Sequence, residues 1–491
     1  MIIEFLLIFP LIGSILLLIF KSRNIARPLL FLYSISYFLT SIYLCYCIHS
    51  NIKIGGLLKI YFAVDPLNIV FLLILSIVFL AVSIYNDGYV KVSDMKKSKL
   101  SYYSIGILLF IFSMTGTILS TNMALSWVFI EATTLTSAYL VYFERTKQSI
   151  EAAWKYVFIC SIGISLGFVG IILLTIATAD INSLFFSELY NHSAYINKTW
   201  LNLAFVFFLI GIGTKVGLAP VHSYLPETLS VSPAPISALL SAVLHNAAFL
   251  LIIRFFHITV LAGNSGYGRT LMIAMGVMSL FVTAVYIFTV KNYKRMLAYS
   301  SIENMGIIAL GIALGGTAII AAMIHLVFHS LIKTSFFLTA GNIFKIFKTK
   351  RTNEVHSIIK RDKLTGWLWI ACFIGIAGIP PSPLFVSEFL MVKEMISSRH
   401  FLLMAVFLIL LTIIIFGMAK RIIYMSCGKD IPNTHNHDDF EGYADKEEHK
   451  PVLLSPLMYV PQIILLLISA LAGLYMPGIL SKLLEQASLL I

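Results

Sequence analysis

The chain has 491 residues, of which 59% are apolar and only 12% are charged. Water-soluble domains of this length would carry about twice that charged fraction, so the composition excludes a soluble protein and indicates an integral membrane protein. Its formal charge of +12 would suggest nucleic-acid binding in a soluble chain, but in a membrane chain we expect these charges to orient the loops.

Fourteen apolar stretches are long enough to cross a bilayer, since a helix needs about 20 apolar residues to span a hydrocarbon core of about 30 Å. Prolines interrupt two of them: the seventh stretch runs into Pro220, and the twelfth contains Pro380, Pro381 and Pro383. We therefore predict an all-α integral membrane protein in which helices seven and twelve are broken. The predicted spans are 2–20, 28–49, 64–86, 103–120, 122–142, 155–178, 200–219, 235–258, 269–290, 297–314, 317–344, 364–396, 401–424 and 455–477.

Basic residues concentrate in the odd-numbered loops, and the even-numbered loops carry few. By the positive-inside rule the odd-numbered loops face the cytoplasm, so both termini are predicted on the outer, periplasmic side of a cell inner membrane. The basic residues of the odd-numbered loops are Lys21, Arg23, Arg27, Lys91, Lys96, Lys97, Lys99, Arg145, Lys147, Lys291, Lys294 and Arg295, together with those of segments 345–363 and 420–450.

Ten ionisable residues lie inside the apolar stretches, and each costs several kcal/mol at mid-bilayer unless it faces a partner or water. Arg254 lies near the end of a span and is equally well explained as a side chain that reaches the interface. So many such residues indicate an ion pathway. They are Glu131, Lys155, Lys215, His245, Arg254, Glu303, His325, His329, Lys333 and Glu388.

Three of these residues share one helix face, because His325, His329 and Lys333 recur at every fourth position. A face that carries titratable groups in series is what proton transfer along a helix requires. Two histidines at this spacing can also bind zinc, but no glutamate follows His325 as a zinc protease would need, and Lys333 would repel a cation. We predict no metal at this place.

The chain also contains an internal repeat. Glu131 and Glu303 are 172 positions apart, and Lys215 and Glu388 are 173 apart. In each half the second charge, Lys215 or Glu388, lies beside a helix that is broken by proline. Two such halves are typical of inverted-repeat transporters, whose ion sites lie at the breaks. The expected organisation is an N-terminal three-helix segment at 1–102, two five-helix repeats at 103–258 and 269–424, and a cytoplasmic loop with a final helix at 425–491.

Glu131 and Lys215 are expected to form a buried ion pair. An ammonium group that loses its counter-ion in a low-dielectric interior is destabilised, so separating the two charges would release a proton.

Four stretches of sequence resemble the antiporter-like subunits of respiratory complex I, Mrp antiporters and membrane-bound hydrogenases. They are 127–135, 213–227, 233–241 and 325–333. The stretch 294–306, in which Ser-Ile-Glu303 follows Ala-Tyr-Ser, resembles the hydrogenase-4 component F type in particular. The resemblance covers the whole chain and is strongest between about 120 and 400.

The resemblance implies a subunit that moves protons, or sodium ions, beside other membrane subunits and a peripheral redox arm. It further implies a polar axis from the fifth span to the twelfth that includes Glu131, Lys215, His329, Lys333 and Glu388. Many relatives have His or Lys directly after the Pro-x-Ser-Ala-Leu-Leu stretch, where this chain has Ser241. His245, one turn later, or water is expected to make the link.

No cofactor is expected in this chain, because its five cysteines lie mostly in apolar stretches at spacings that fit neither an iron–sulfur cluster nor a disulfide framework. The histidines and acids of segment 435–449 could bind a divalent metal, but a solvated loop is the favoured interpretation. Two other functions stay open: a cation/proton antiporter or ion-coupled subunit of an Mrp-like or carbon-uptake complex, and a scaffold without transport.

Overall fold

The computed structural model describes residues 2–52, 55–93, 97–179, 181, 183–428 and 454–491. The histidine-containing segment 435–449 lies outside the described residues, as does Lys96. Within the described ranges the chain is helical, with only three isolated β-bridges. The helices of the first half are α1 (Ile2–Phe20), α2 (Arg23–His49), α3 (Pro66–Ser93), α4 (Lys97–Leu119), α5 (Met123–Val141), α6 (Lys147–Ala177), α7 (Phe186–Asn191), α8 (Lys198–Val216), α9 (Leu225–Val231), α10 (Ala234–Leu239) and α11 (His245–Leu261).

The second half continues in the same way. Thirteen helical segments of the described chain are long and apolar enough to cross a membrane, which confirms the all-α membrane fold. The helices are α12 (Ser265–Tyr286), α13 (Tyr293–Leu314), α14 (Thr317–Phe347), α15 (Ile358–Arg361), α16 (Lys363–Ile376), α17 (Pro383–Ser397), α18 (Phe401–Cys427), α19 (Val460–Leu474) and α20 (Gly478–Ser488).

The two helix breaks lie where the prolines predict them. Helix α8 ends at Gly217 (φ 83°) before the cis peptide Ala219–Pro220, and α16 is followed by Gly378 (φ 61°) and the cis peptide Pro380–Pro381. Positive φ values suit glycine because it lacks a Cβ. Pro383 does not lie in the break; it begins α17, where its missing N–H costs no helical hydrogen bond.

Helix α20 is not among the predicted spans, since the last of them ends at 477. Its 11 residues are too few to cross a membrane. Leu483, Leu484 and Ala487 share one buried side, and the helix packs on α3 and α14. A short amphipathic helix of this kind gives no hydropathy signal of its own.

The helices that carry most of the candidate residues form the centre of the molecule. In the span that runs from Ala234 to Leu261, the most apolar 18 residues are all buried. In α13 and α14 the buried share of the corresponding stretch is 89%. By contrast, only about a third or less of the most apolar stretches of α2, α18 and α19 is buried. Ionisable groups on the central helices therefore face protein and not lipid.

Helices α6 and α8 approach each other backbone to backbone. A Cβ added at Gly211 of α8 would collide with the backbone nitrogen of Gly167 and the carbonyl of Gly163 on α6. Small residues at such positions allow close helix packing within membranes. This contact fixes the part of α8 that carries Lys215.

We expect Gly211→Ala to lower the free energy of unfolding by about 1–3 kcal/mol, because the added methyl group forces the two backbones apart. Thermal denaturation of the purified chain in detergent measures the change. Gly266→Ala in α12 is the matched control, since its Cβ would meet no atom within 4 Å. Equal stability of the two variants would contradict the assigned packing.

Candidate functional site: a line of buried ionisable groups

Lys215 is completely buried at the last turn of α8, directly before the first break. Its ammonium group donates hydrogen bonds to Thr134 Oγ1 (2.9 Å) and to the Tyr156 hydroxyl (2.6 Å), and it lies 4.7 Å from the centre of the Tyr156 ring. The carbonyl end of a helix and an aromatic face both stabilise a cation. Two neutral oxygens and a ring thus replace water around the amine.

Glu131 does not form the direct ion pair that the sequence predicts. Within the described ranges no carboxylate lies within 4.0 Å of the Lys215 amine. Glu131 is half-buried on α5, and Thr134 Oγ1 donates to its Oε2 at 3.5 Å, because residues three apart share a helix face. The Thr134 hydroxyl, which can both accept and donate, therefore connects Lys215 to Glu131.

The second carboxylate oxygen of Glu131 has its own contact, a long hydrogen bond of 3.4 Å from Ser161 on α6. On the other side of the lysine, the Tyr156 hydroxyl also contacts Ser137 at 2.6 Å. Tyr224, just after the break, donates to the Lys215 carbonyl at 3.2 Å. Further hydroxyl groups thus contact the partners of the amine and the backbone of Lys215.

A polar cavity of about 660 Å³ lies close to this cluster. Its wall includes Ala152, one turn before Tyr156 on α6, and Ser223, next to Tyr224. Glu227 and Arg295 also line it. It therefore comes within one helical turn of the tyrosine that contacts Lys215.

Lys155 is expected inside a span, but its side chain is 46% exposed. It pairs with Glu151 at 2.7 Å and with Glu227 at 3.1 Å. The reason is that α6 has 31 residues, more than a bilayer requires, so its first turns extend beyond the membrane core. Lys155 is not part of the buried line.

Arg254 is buried but also stands apart from the other candidates. Its guanidinium pairs with Asp65 at 2.5 Å and lies 5.0 Å from the centre of the Phe186 ring. Asp65 caps α3 as well, since its Oδ1 accepts from the backbone N–H groups of Leu67 and Asn68. Arg254 therefore joins α11 to the start of α3.

A five-residue π-helix, Leu240–Leu244, connects α10 to α11 and sets the position of His245. Such insertions often occur at functional sites. Ser241, which replaces the expected ionisable residue, contacts Ser301 at 2.8 Å. His245 is buried, and within the described residues no group meets hydrogen-bond geometry at either of its ring nitrogens, the Ser241 carbonyl one turn earlier being close to the ring.

Helix α14 brings both of its histidines and its lysine into the interior. His325 is fixed at both nitrogens, with Ser387 at 2.8 Å and Asn304 at 2.9 Å. His329 lies parallel to it, with ring centres 6.4 Å apart, and its nitrogens have no partner in the described part of the chain. Lys333 donates to the Leu297 carbonyl at 2.8 Å.

Two acids complete the line beyond Lys333. Glu303 on α13 is buried, on the helix whose Leu297 carbonyl accepts the hydrogen bond from Lys333. Glu388 lies in the second turn of α17 and folds back over the second break, where a Cβ at Gly378 would meet its carboxylate at 2.5 Å. Glu388 thus lies near the start of α17, whereas Lys215, of opposite charge, lies at the end of α8. This opposition in charge and helix end suits an inverted arrangement of the two breaks.

Several polar residues of this line are missed by reasoning from the sequence. Thr134, Asn304 and Ser387 are uncharged, but each lies within three positions of a predicted charge, which is a usable signal. The sequence places Lys294 in a loop; it is buried at the start of α13 and donates to the Ser232 carbonyl at 2.6 Å. Tyr156 is also next to a predicted charge, but that charge, Lys155, is exposed and does not belong to the line.

Two broken helices and a buried line of ionisable groups within a bundle of membrane-spanning helices define an ion-translocating membrane subunit. A family model described as NADH:quinone oxidoreductase/Mrp antiporter, TM, matches residues 120–414, more than half of the chain. The chain belongs to this family and is an antiporter-like membrane subunit. The match covers every candidate residue from Glu131 to Glu388.

Individual relatives agree with the resemblance stated from the motifs. The hydrogenase-4 component F homolog of Methylacidiphilum infernorum is 33% identical over 398 residues, 79% of this chain and 82% of the relative. A Na⁺/H⁺ antiporter subunit of Bacillus subtilis is 25% identical over 84% of this chain and 80% of the relative. A chain of an archaeal membrane-bound sulfane sulfur reductase has the same fold (TM-score 0.85, 21% identity, 100% of this chain, 97% of that chain).

Proposed function

We propose that this chain translocates protons as part of an energy-converting redox complex of the hydrogenase-4 or complex I type, with electron transfer in other subunits. One observation carries the proposal: ionisable groups on the four helices α8, α11, α13 and α14 lie inside the bundle between the two half-buried acids Glu131 and Glu388. The buried ones are Lys215, His245, Glu303, His325, His329 and Lys333. Ionisable groups inside a membrane are costly, and so many of them favour a role in transport over a scaffold.

The first half of the pathway centres on Lys215. When Glu131 is near, its charge supports the ammonium form; when it moves away, the amine loses that support and gives up its proton. Thr134 would relay the effect, because its hydroxyl touches both groups. The polar cavity beside Tyr156 offers water access from the side of the basic loops.

The link to the second half runs through His245 in this proposal. Its unpartnered ring nitrogens, and those of His329, lie in the interior, and buried polar atoms without partners are usually hydrated. Water between the two rings would connect Lys215 to Lys333. Glu303 and Glu388 then carry the proton toward the second break.

Protons fit this line better than sodium ions. Hard cations prefer several oxygen ligands, whereas His245, His329 and Lys333 present nitrogen atoms along the middle of the line. The alternative, a cation/proton antiporter or an ion-coupled subunit of an Mrp-like or carbon-uptake complex, is supported by the 25% identity to the Bacillus subtilis Na⁺/H⁺ antiporter subunit.

The proposed setting is a cell inner membrane, with both termini on the outer side and the basic loops in the cytoplasm. The proposed division is a three-helix segment at 1–102, repeats at 103–258 and 269–424, and a loop with a final helix at 425–491. The similar construction of the two breaks supports the repeat. Other membrane subunits and a peripheral redox arm are the proposed partners.

Glu131→Gln tests the proposal with little change in shape. We expect the complex to assemble normally but to pump protons several-fold more slowly, because glutamine cannot supply the charge that controls Lys215. Proton uptake by vesicles that contain the purified complex measures this, and Glu188→Gln, an exposed residue of α7 outside the polar cavity, is the control. Loss of the whole complex would point instead to a structural role for Glu131.

A further inference from the structure

A small cavity of about 280 Å³ lies where the start of α4 meets the end of α5. Two of the residues that line it are positively charged, and none of the described residues in its wall is acidic. The cavity therefore favours an anionic occupant. The lining residues are Lys99, Tyr102, Tyr139, Tyr142, Phe143 and Arg145.

The acid that is nearest in sequence points to another place. Glu144 lies between Phe143 and Arg145 along the chain, but it lines a different cavity together with Lys294 and Lys350. Two lysines thus share that carboxylate with no contribution from the basic and aromatic cavity. The positive charge of the latter is left for an occupant.

Aromatic rings hold the cations of this cavity in place. The amine of Lys99 lies 5.0 Å from the centre of the Phe143 ring, and the guanidinium of Arg145 lies close to the ring of Tyr142. A third cation, Lys21 at the end of α1, lies 6.0 Å from the centre of the Tyr102 ring. An aromatic face stabilises a cation without accepting all of its N–H groups, so these donors remain free for an anion.

The groups that would contact an anion are accessible. Lys99 and Arg145 are exposed, and the tyrosines Tyr102 and Tyr139 are each 38% exposed. Ammonium, guanidinium and phenol groups all donate hydrogen bonds, and the charged donors bind phosphate oxygens strongly. The cavity thus presents the kind of donors that bind a phosphate.

The cavity also lies at the depth of lipid head groups. Tyr102 is in the second turn of α4, Tyr139 is in the last turn of α5, and Tyr142 directly follows α5, at the end of the bundle that carries the basic loops. Tyrosines are enriched at the membrane–water interface. One turn before Tyr139 on the same face, Leu135 is 62% exposed and offers an apolar surface to an acyl chain.

We propose that this cavity binds the phosphate of an anionic phospholipid. The phosphate lies between Lys99 and Arg145 and accepts hydrogen bonds from the tyrosine hydroxyls, while an acyl chain extends along α5 past Leu135. Basic pockets between membrane helices bind anionic head groups in this way. Binding requires no ion transport, so this proposal and the proposed function can fail separately.

Lipid retention tests the proposal. The full chain is purified from discs that contain equal amounts of phosphatidylglycerol and phosphatidylcholine, and the lipids that remain bound are measured by mass spectrometry. Both lipids carry a phosphate, but the choline group cancels its charge. We expect at least about fivefold more phosphatidylglycerol to be retained, the effect of one lysine or arginine near a membrane surface.

Lys99→Gln combined with Arg145→Gln should lower this preference at least about fivefold, because both charges of the cavity wall are lost. Arg145→Gln alone, which leaves the Lys99 contact, covers the case in which the double variant does not fold. Lys363→Gln combined with Lys420→Gln is the matched control and should keep the preference. It removes two exposed cations from the same end of the bundle but outside the cavity.

Three results would overturn the proposal. They are equal retention of the two lipids by the unaltered chain, an equal loss of preference in the control, and release of bound phosphatidylglycerol by inorganic phosphate, which would indicate a site for a soluble anion. A photoreactive residue in place of Tyr139, activated in the native membrane, should attach to lipid. Attachment to a neighbouring protein instead would show that a partner subunit occupies the cavity.

Discussion

Lys215→Ala is expected to reduce proton pumping by about 100-fold or more, the lower end of what a positioned proton-transfer group contributes. The substitution removes the titrating amine, whereas Thr134 and Tyr156 keep their hydroxyls and can bond to each other or to water. The fold should therefore survive. Proton uptake by vesicles that contain the purified complex, driven by its redox reaction, measures the loss.

The control for this experiment is Lys155→Ala, which removes the same charge from an exposed position on α6. We expect its pumping to stay near that of the unaltered complex, since surface ion pairs contribute little. Electron transfer must be measured in both variants, because a loss of assembly would also stop pumping. Unchanged pumping by Lys215→Ala would refute the proposed pathway.

Asp65→Asn is expected to lower the free energy of unfolding by about 3 kcal/mol, because it leaves the buried guanidinium of Arg254 without a counter-ion. Asparagine caps helices as well as aspartate does, so the hydrogen bonds to Leu67 and Asn68 remain and only the charge is lost. Thermal denaturation of the purified chain in detergent provides the measurement.

Two further variants define what the Asp65 result means. Asp65→Ala should cost about 1 kcal/mol more, since it removes the cap as well as the charge. Glu151→Gln, which breaks an exposed pair, should change stability by less than about 1 kcal/mol. If Asp65→Asn behaves like Glu151→Gln, Arg254 reaches water and does not anchor α11 to α3.

The fold could be predicted largely because apolar length and proline are strong signals in a membrane chain. The breaks near Pro220 and Pro380 follow from the missing backbone donor of proline. The spacing of His325, His329 and Lys333 correctly places them on one helix, and all three are buried. These features depend on local sequence alone.

Depth in the membrane could not be predicted for residues near helix ends. Hydropathy places Lys155 in a span and Lys294 in a loop, yet Lys155 is exposed and Lys294 is buried. Whether such a residue is buried depends on how far its helix extends beyond the membrane and on how neighbouring helices pack against it. Hydropathy reports neither. The same holds for α20, one side of which is buried because it packs on α3 and α14.

The connection between Glu131 and Lys215 also depends on tertiary structure. Sequence predicts that opposite charges in one bundle pair directly, but here the hydroxyl of Thr134 lies between them. Which of two neighbouring side chains on α5 reaches the lysine is set by the angle and depth at which α5, α6 and α8 meet. No pattern along one helix contains that information.

The close contact of α6 and α8 at Gly211 has a consequence for how the charges can move. Since the two backbones touch, Lys215 and its partner Tyr156 belong to one stiff frame, and neither helix can slide without the other. We therefore expect a change in the distance between the carboxylate and the amine to come from the Glu131 and Lys215 side chains or from a tilt of α5, and not from sliding of α8 along α6.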